Sequence, residues 1–257
     1  MNSAFEIGAA ALRAQQRAME IHANNVANVN TPTFKRSDAR YSEALAEAAA
    51  SANAAGTTAQ RPPLGGSGVR VVQEQVLFAQ GELRATGNPL DLGIDGRGMI
   101  ELIGPGRAAL LWRGGALRVN EDGLLATAEG IPLRAGVVVP QDAESLAIAS
   151  DGLVSVSTSG GETIEIGQID LVCVDYPAAL ERLDNGLFRP VPEARLTDAR
   201  PGEDGAGTLA QGSIEESNVS LTQEMVQMLL VQRAYAASAQ IVQAADQMAA
   251  ITNNLKS

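Results

Sequence analysis

Hydrophobic positions at both ends of the chain recur with a helical period. Ile7, Ala11, Ala14, Ala18, Ile21, Asn25 and Asn28 follow alternating spacings of four and three residues, a heptad seam. Phe5, Leu12, Met19 and Val26 repeat every seven residues on the opposite side of the same helix. At the carboxyl end, residues 219–255 contain neither Gly nor Pro and carry two stripes. One is Leu221, Met225, Met228, Gln232, Tyr235, Ala239 and Val242; the other is Leu230, Ala237, Ile241, Ala244, Met248, Ile251 and Leu255. The patterns predict a helix over 2–28 and a longer one over 219–255, about 55 Å at 1.5 Å per residue.

Between the helices the period changes. Short apolar runs such as "GVRVV", "LVSVS" and "IDLVCV" alternate with the turn pairs Asp95-Gly96, Asp122-Gly123, Asp151-Gly152 and Asn185-Gly186. That is hairpin chemistry, and it predicts a mostly antiparallel β domain over 69–200. Residues 37–68 are rich in Ala and Ser and predict a short helix near Asp38–Ala50, then an extended insertion. Residues 201–213 read as a loop back to the last helix. The fold class is therefore α+β, with residues 1–36 and 214–257 pairing as a coiled-coil-like helical domain.

A helix with one wet side needs only one apolar stripe. Two opposed stripes need neighbours on two sides, and the middle of the chain offers no further long helix. The expectation is that other copies of the chain bury the remaining stripes. Such a contact is heterologous and builds a filament or a ring. Asn25 and Asn28 continue the Ile7 seam, where a polar residue fixes register, and Asn24 and Asn30 are positioned to satisfy carbonyls at the helix end. The competing reading of this cluster is a solvated, frayed helix end.

Composition narrows the function. A net charge of −11 argues against nucleic acid or an anionic membrane surface as partner. No apolar run approaches the roughly 18 residues of a membrane-spanning helix, so no membrane insertion is expected. Aromatics at 3% and abundant Ala favour close helix packing. One His (His22) and one Cys (Cys173) make neither a disulfide nor a zinc site; Cys173 reads as a small buried hydrophobe. The acid pairs Glu121-Asp122, Glu215-Glu216 and Asp142 with Glu144 lie beside turn or cap signals and read as solvated rather than as a catalytic pair. "GIDGRG", residues 93–98, lacks the spacing of a phosphate loop. No catalytic, cofactor or metal residues are expected. The amino terminus lacks the basic-then-apolar pattern of a secretory signal.

Three ordered motifs carry a resemblance. "ANNVANVNTPTFKR", "QGELRATGNPLDLGIDGRGMIEL" (80–102) and "GSIEESNVSLTQEMVQMLLVQRAYAASAQIVQAADQM" (212–248) closely resemble the signatures of the bacterial flagellar basal-body rod and hook protein family. The Gln232-Arg233-Ala234-Tyr235 ending and the insertion around 45–66 are most similar to its distal-rod branch; proximal-rod and hook members fit less well. The sequence departs from the family pattern at Thr33, where glycine is usual, at Met99-Ile100 in place of an aromatic pair, and at Arg113-Gly114-Gly115 in place of Arg-Asp-Gly. The resemblance implies a structural, non-enzymatic subunit of a tubular axial filament. Its terminal helices would line an export channel, with the β domain outside. Implied partners are further copies of itself, other rod and hook proteins, the rings around the rod and the flagellar type III export apparatus. The implied location is the periplasm-spanning rod, reached without a cleaved signal.

The candidate subunit-contact residues are Ile7, Ala14, Ile21, Asn24, Asn25, Asn28, Phe34, Met225, Met228, Leu229, Gln232, Tyr235, Ile241 and Met248. A secreted cell-wall hydrolase with a β domain is the alternative from another class. It requires a convergent cluster of acids, His or Cys that the sequence does not display.

Overall fold

The computed structural model describes residues 2–43, 69–177, 180–183, 185–192 and 194–254. The chain forms two compact units. The first comprises residues 1–27, 37–77 and 220–257, the second residues 28–36 and 78–219.

The first unit is built on helices α1 (Asn2–Ala27) and α2 (Leu221–Asn254), which pack together. Ala14, Ala18 and Ile21 of the predicted seam are buried there. Small residues let the helices approach closely. A methyl group added at Gly8 would lie 2.4 Å from Val242 Cγ2, so a side chain there would force the pair apart. Gln15 Nε2 donates to Ser238 Oγ across the same pair at 3.1 Å.

Strands β1 (Ser37–Glu43) and β2 (Val69–Val76) form an antiparallel pair against α1, from Ser37 opposite Val76 to Glu43 opposite Val69. The short helix expected near Asp38–Ala50 is therefore corrected over its first residues, which are strand; the rest of it, and the insertion, lie outside the described residues. Alanine and serine propensity is a weak prior, and pairing with β2 overrides it. The unit boundaries also differ from those expected. Residues 28–36 group with the β-rich unit, and β2 groups with the helices.

The second unit is antiparallel throughout its described ladders. One four-stranded sheet runs β16 (Thr208–Gln211), β4 (Asp91–Asp95), β7 (Gly115–Val119), β8 (Leu125–Thr127). Another runs β13 (Leu180–Arg182), β14 (Leu187–Pro190), β6 (Ala109–Trp112), β5 (Ile100–Ile103). A three-stranded sheet joins β11 (Thr163–Gln168), β10 (Leu153–Thr158) and β9 (Ala143–Ile148). Two pairs complete it: β12 (Leu171–Val174) with β15 (Leu196–Ala199), and β3 (Leu83–Ala85) with β17 (Ser213–Glu215).

Period-two patterning explains these strands. In β10, Val154, Val156 and Thr158 are buried while Leu153, Ser155 and Ser157 are less so. Leu92, Ile94, Leu102, Leu125, Leu133 and Leu171 are at the centre of the core. Asn185-Gly186 turns β13 into β14 with both residues at positive φ, the geometry this dipeptide favours. Asp95-Gly96 is a correction. It follows β4, whose ladder partners are β16 and β7, so it does not close a hairpin onto β5.

Candidate assembly surface and its anchors

The surface that stands out is on α2. Leu221, Met225, Val226, Leu229, Leu230, Tyr235, Ile241, Met248 and Ile251 are each between 39% and 65% exposed. Nine large side chains at about half exposure leave on the order of 800 Å² of apolar surface in water, about one partner's share of a standard interface. The largest apolar patch on an ordinary monomer is about 300–600 Å². Over its 34 residues α2 carries three charged side chains, Glu224, Arg233 and Asp246, in a chain of net charge −11.

Helix α1 is different, because the second stripe that the pattern left exposed is not free on it. Its second stripe is half-buried at Leu12, Met19 and Val26. Strands β1 and β2 lie against α1, a covering element that the sequence pattern did not reveal. The face that α1 leaves in water carries Glu6, Arg13, Arg17, Glu20 and Asn24. Arg17 is paired there with Glu20 at 3.0 Å and Glu74 at 3.2 Å.

The candidate contact residues divide accordingly. Ile7, Asn24, Met225, Leu229, Gln232, Tyr235, Ile241 and Met248 are exposed, and Asn28 and Met228 are half-buried. Ala14, Ile21, Asn25 and Phe34 are buried in the chain's own packing, which leaves them little surface to offer another copy.

Asn25 has an internal partner set that the seam pattern did not reveal. Its Nδ2 donates to Ser37 O at 2.8 Å, and its Oδ1 accepts from Ser37 N at 2.9 Å. Nδ2 also lies 3.1 Å from Glu224 Oε2, which shares a 2.6 Å hydrogen bond with His22 Nδ1. Asn25 and Glu224 are fully buried and His22 nearly so. The group ties α1 to β1 and to the first turn of α2. Asn28 closes the turn that follows, accepting from Thr31 through its backbone oxygen at 3.1 Å and through Oδ1 at 3.1 Å. Asn25 and Asn28 are thus fixed within the chain, and Asn25 is held inside its own fold instead of at a contact between copies or a frayed end. Asn25→Leu is expected to cost the helical unit about 2 kcal/mol, because it strands buried polar groups on Ser37 and Glu224. Urea unfolding followed by circular dichroism measures this.

A second buried network lies in the β-rich unit. Glu215 Oε1 accepts from Lys35 Nζ at 2.6 Å and from Gly81 N at 2.7 Å; Oε2 accepts from Arg113 Nε at 2.8 Å. Lys35 Nζ also donates to Ala79 O at 2.9 Å, and the Arg113 guanidinium donates to Gly96 O and Gly98 O. Lys35 and Glu215 are fully buried. Burial lowers the Lys35 pKa from its ordinary value, and the Glu215 carboxylate opposes that shift without reversing it. The network brings the three sequence motifs to one point, with Lys35 from the first, Gly81, Gly96 and Gly98 from the second, and Glu215 from the third. Beside it Phe34 lies under Arg182, whose guanidinium carbon is 4.3 Å from the ring centre and which also donates to Lys35 O.

One departure from the family pattern, Thr33, carries a local cost, and another, Gly114, has a local reason. Thr33 adopts a φ of 60°. A β-branched residue in that region is strained by about 1–2 kcal/mol, whereas glycine is not. Thr33→Gly is expected to stabilise the chain by up to about 1 kcal/mol after glycine's greater unfolded-state entropy is subtracted, raising Tm by roughly 2–4 °C in thermal unfolding. Gly114 has a φ of 102°, and a Cβ there would lie 2.4 Å from Leu92 O, so this backbone excludes the aspartate of the usual Arg-Asp-Gly. The Met99-Ile100 pair is buried.

The histidine and the buried acids are engaged within the fold. His22 and Glu224 are closed off, and Glu215 is consumed by two cations. A cavity of about 330 Å³ in the β-rich unit is lined by Phe78, Met99, Val172 and Leu180 with Arg97 and Arg113, and no carboxylate or histidine reaches it. Cys173, expected to be buried, is half-buried on its wall.

Three family descriptions match the chain in order. They are the flagella basal body rod protein over residues 5–35, the flagellar hook protein FlgE/F/G D1 domain over 93–156, and the flagellar basal body rod FlgEFG protein C-terminal region over 210–255. The chain is 32% identical to the flagellar basal-body rod protein FlgG of Borreliella burgdorferi, covering 100% of this chain and 99% of the relative. It is 32% identical to FlgG of Caulobacter vibrioides over 99% of both, and 26% identical to FlgF of the same organism over 94% and 93%. Together with the helical pair and the antiparallel β unit, this end-to-end similarity establishes that the chain belongs to the flagellar basal-body rod FlgE/F/G family of structural proteins.

Proposed function

We propose that the chain is a distal-rod subunit that polymerises into the tubular axial filament of the flagellum, enclosing the export channel and transmitting torque. The observation that carries this is α2, an almost uncharged helix with about one partner's share of a standard interface left in water as apolar surface. Burial of that surface between copies is worth far more than its exposure, since apolar area contributes roughly 25 cal/mol per Å² removed from water. The greater identity to FlgG than to FlgF within Caulobacter vibrioides favours the distal rod over the proximal rod. Other rod and hook proteins would meet the ends of the filament, the basal-body rings would surround it, and the type III apparatus would deliver the subunits. Electron microscopy of basal bodies from cells lacking the gene tests the reading. The expected result is a rod that stops short of its distal segment, with motility lost. Complete rods in those cells would contradict it.

A further inference from the structure

The exposed surface of α2 holds two charged side chains, Arg233 and Asp246, of opposite sign. Among the described residues neither has an ion-pair partner. Left alone inside a packed helical layer, each would incur the cost of an uncompensated buried charge. The two are 13 residues apart in sequence. At about 100° and 1.5 Å per residue, that is roughly 140° around the helix axis and about 20 Å along it.

We propose that Arg233 of one copy pairs with Asp246 of the next, so that the pair sets the axial stagger between neighbouring subunits. This rests on the proposed function and deepens it. The angular separation decides the type of contact. A two-fold helix pair would need both residues on one contact face, about 100° wide. At roughly 140° they do not share such a face, so the side of one copy that carries Arg233 meets a different side of the next, the one that carries Asp246. That contact is heterologous and propagates into a polymer. Each such contact draws on about half of the exposed apolar surface of α2 from either copy, and the opposed charges give it a direction and a register.

The test uses the full chain with Cys173→Ser, in rods formed in cells lacking their own copy. Arg233→Cys with Asp246→Cys is expected to give a ladder of dimers, trimers and higher species on mild oxidation. No intrachain disulfide can span about 20 Å. Either cysteine alone should give no ladder. Independently, Arg233→Asp or Asp246→Arg should each reduce assembled rods at least about tenfold, which corresponds to about 1.4 kcal/mol, and the two together should restore them. Assembled double-cysteine rods without a ladder, dimers from a single cysteine, or a charge-swapped double as defective as the singles would each overturn the pairing. Wild-type chain that forms no rods would instead contradict the proposed function itself.

Discussion

Replacing Glu215 with leucine is expected to destabilise the β-rich unit by about 3–5 kcal/mol, the cost of removing one member of a buried ionic group. The carboxylate offsets two cations at 2.6 and 2.8 Å and satisfies the Gly81 amide. Leucine leaves Lys35 and Arg113 facing each other in the interior with no counter-charge. Domains are stable by only about 5–15 kcal/mol, so the loss is a large part of the total. The single tryptophan, Trp112, is buried in this unit next to Arg113 in sequence and reports its unfolding by fluorescence. The urea midpoint should fall sharply. Combining Glu215→Leu with Lys35→Met and Arg113→Leu should recover part of the loss, because uncompensated charge, rather than lost packing, is the larger cost. Recovery will be incomplete, since Gly96 O and Gly98 O lose the donor that Arg113 supplies.

The second large effect concerns assembly. Leu229→Asp with Ile241→Asp places two carboxylates on the free face of α2, where the native side chains are 55% and 65% exposed. Folding of the chain should be nearly unaffected, because surface substitutions away from special features change stability by about 0.5 kcal/mol or less. Polymerisation should be lost, because each carboxylate would be desolvated in the contact between copies without a partner. Electron microscopy reads rod formation, and circular dichroism with Trp112 fluorescence reads folding. Ile21→Asp does not discriminate in the same way. Ile21 is buried between the helices of one chain, so its replacement disrupts the fold before any contact between copies is tested.

Particular residues mark what the sequence made legible. The three-and-four spacing along α2 and the alternation in β10 are local signals, and both became the expected elements. The stripes identified apolar faces but not what covers them. On α1 the cover is the β1–β2 pair, hidden because an Ala/Ser-rich stretch reads as helix until its partner strand is known. Asn25 fell on a seam position and so suggested register between copies, yet Ser37, twelve residues away, takes both ends of its amide. The Lys35–Glu215–Arg113 network was not legible. Its members are 180 and 102 residues apart, and charged residues default to the surface in any reading of composition. The available signal was that Lys35 and Glu215 both lie inside the quoted motifs.

On the proposed function, other copies of the chain are what covers the exposed apolar face of α2. Sedimentation of the purified full-length protein over rising concentration tests it most directly. The expected result is a folded monomer at low concentration that converts, above a threshold, into long polymers, with no threshold for Leu229→Asp/Ile241→Asp. A wild-type chain that remains a folded monomer throughout, with α2 helical and its leucines shielded from water, would contradict the account.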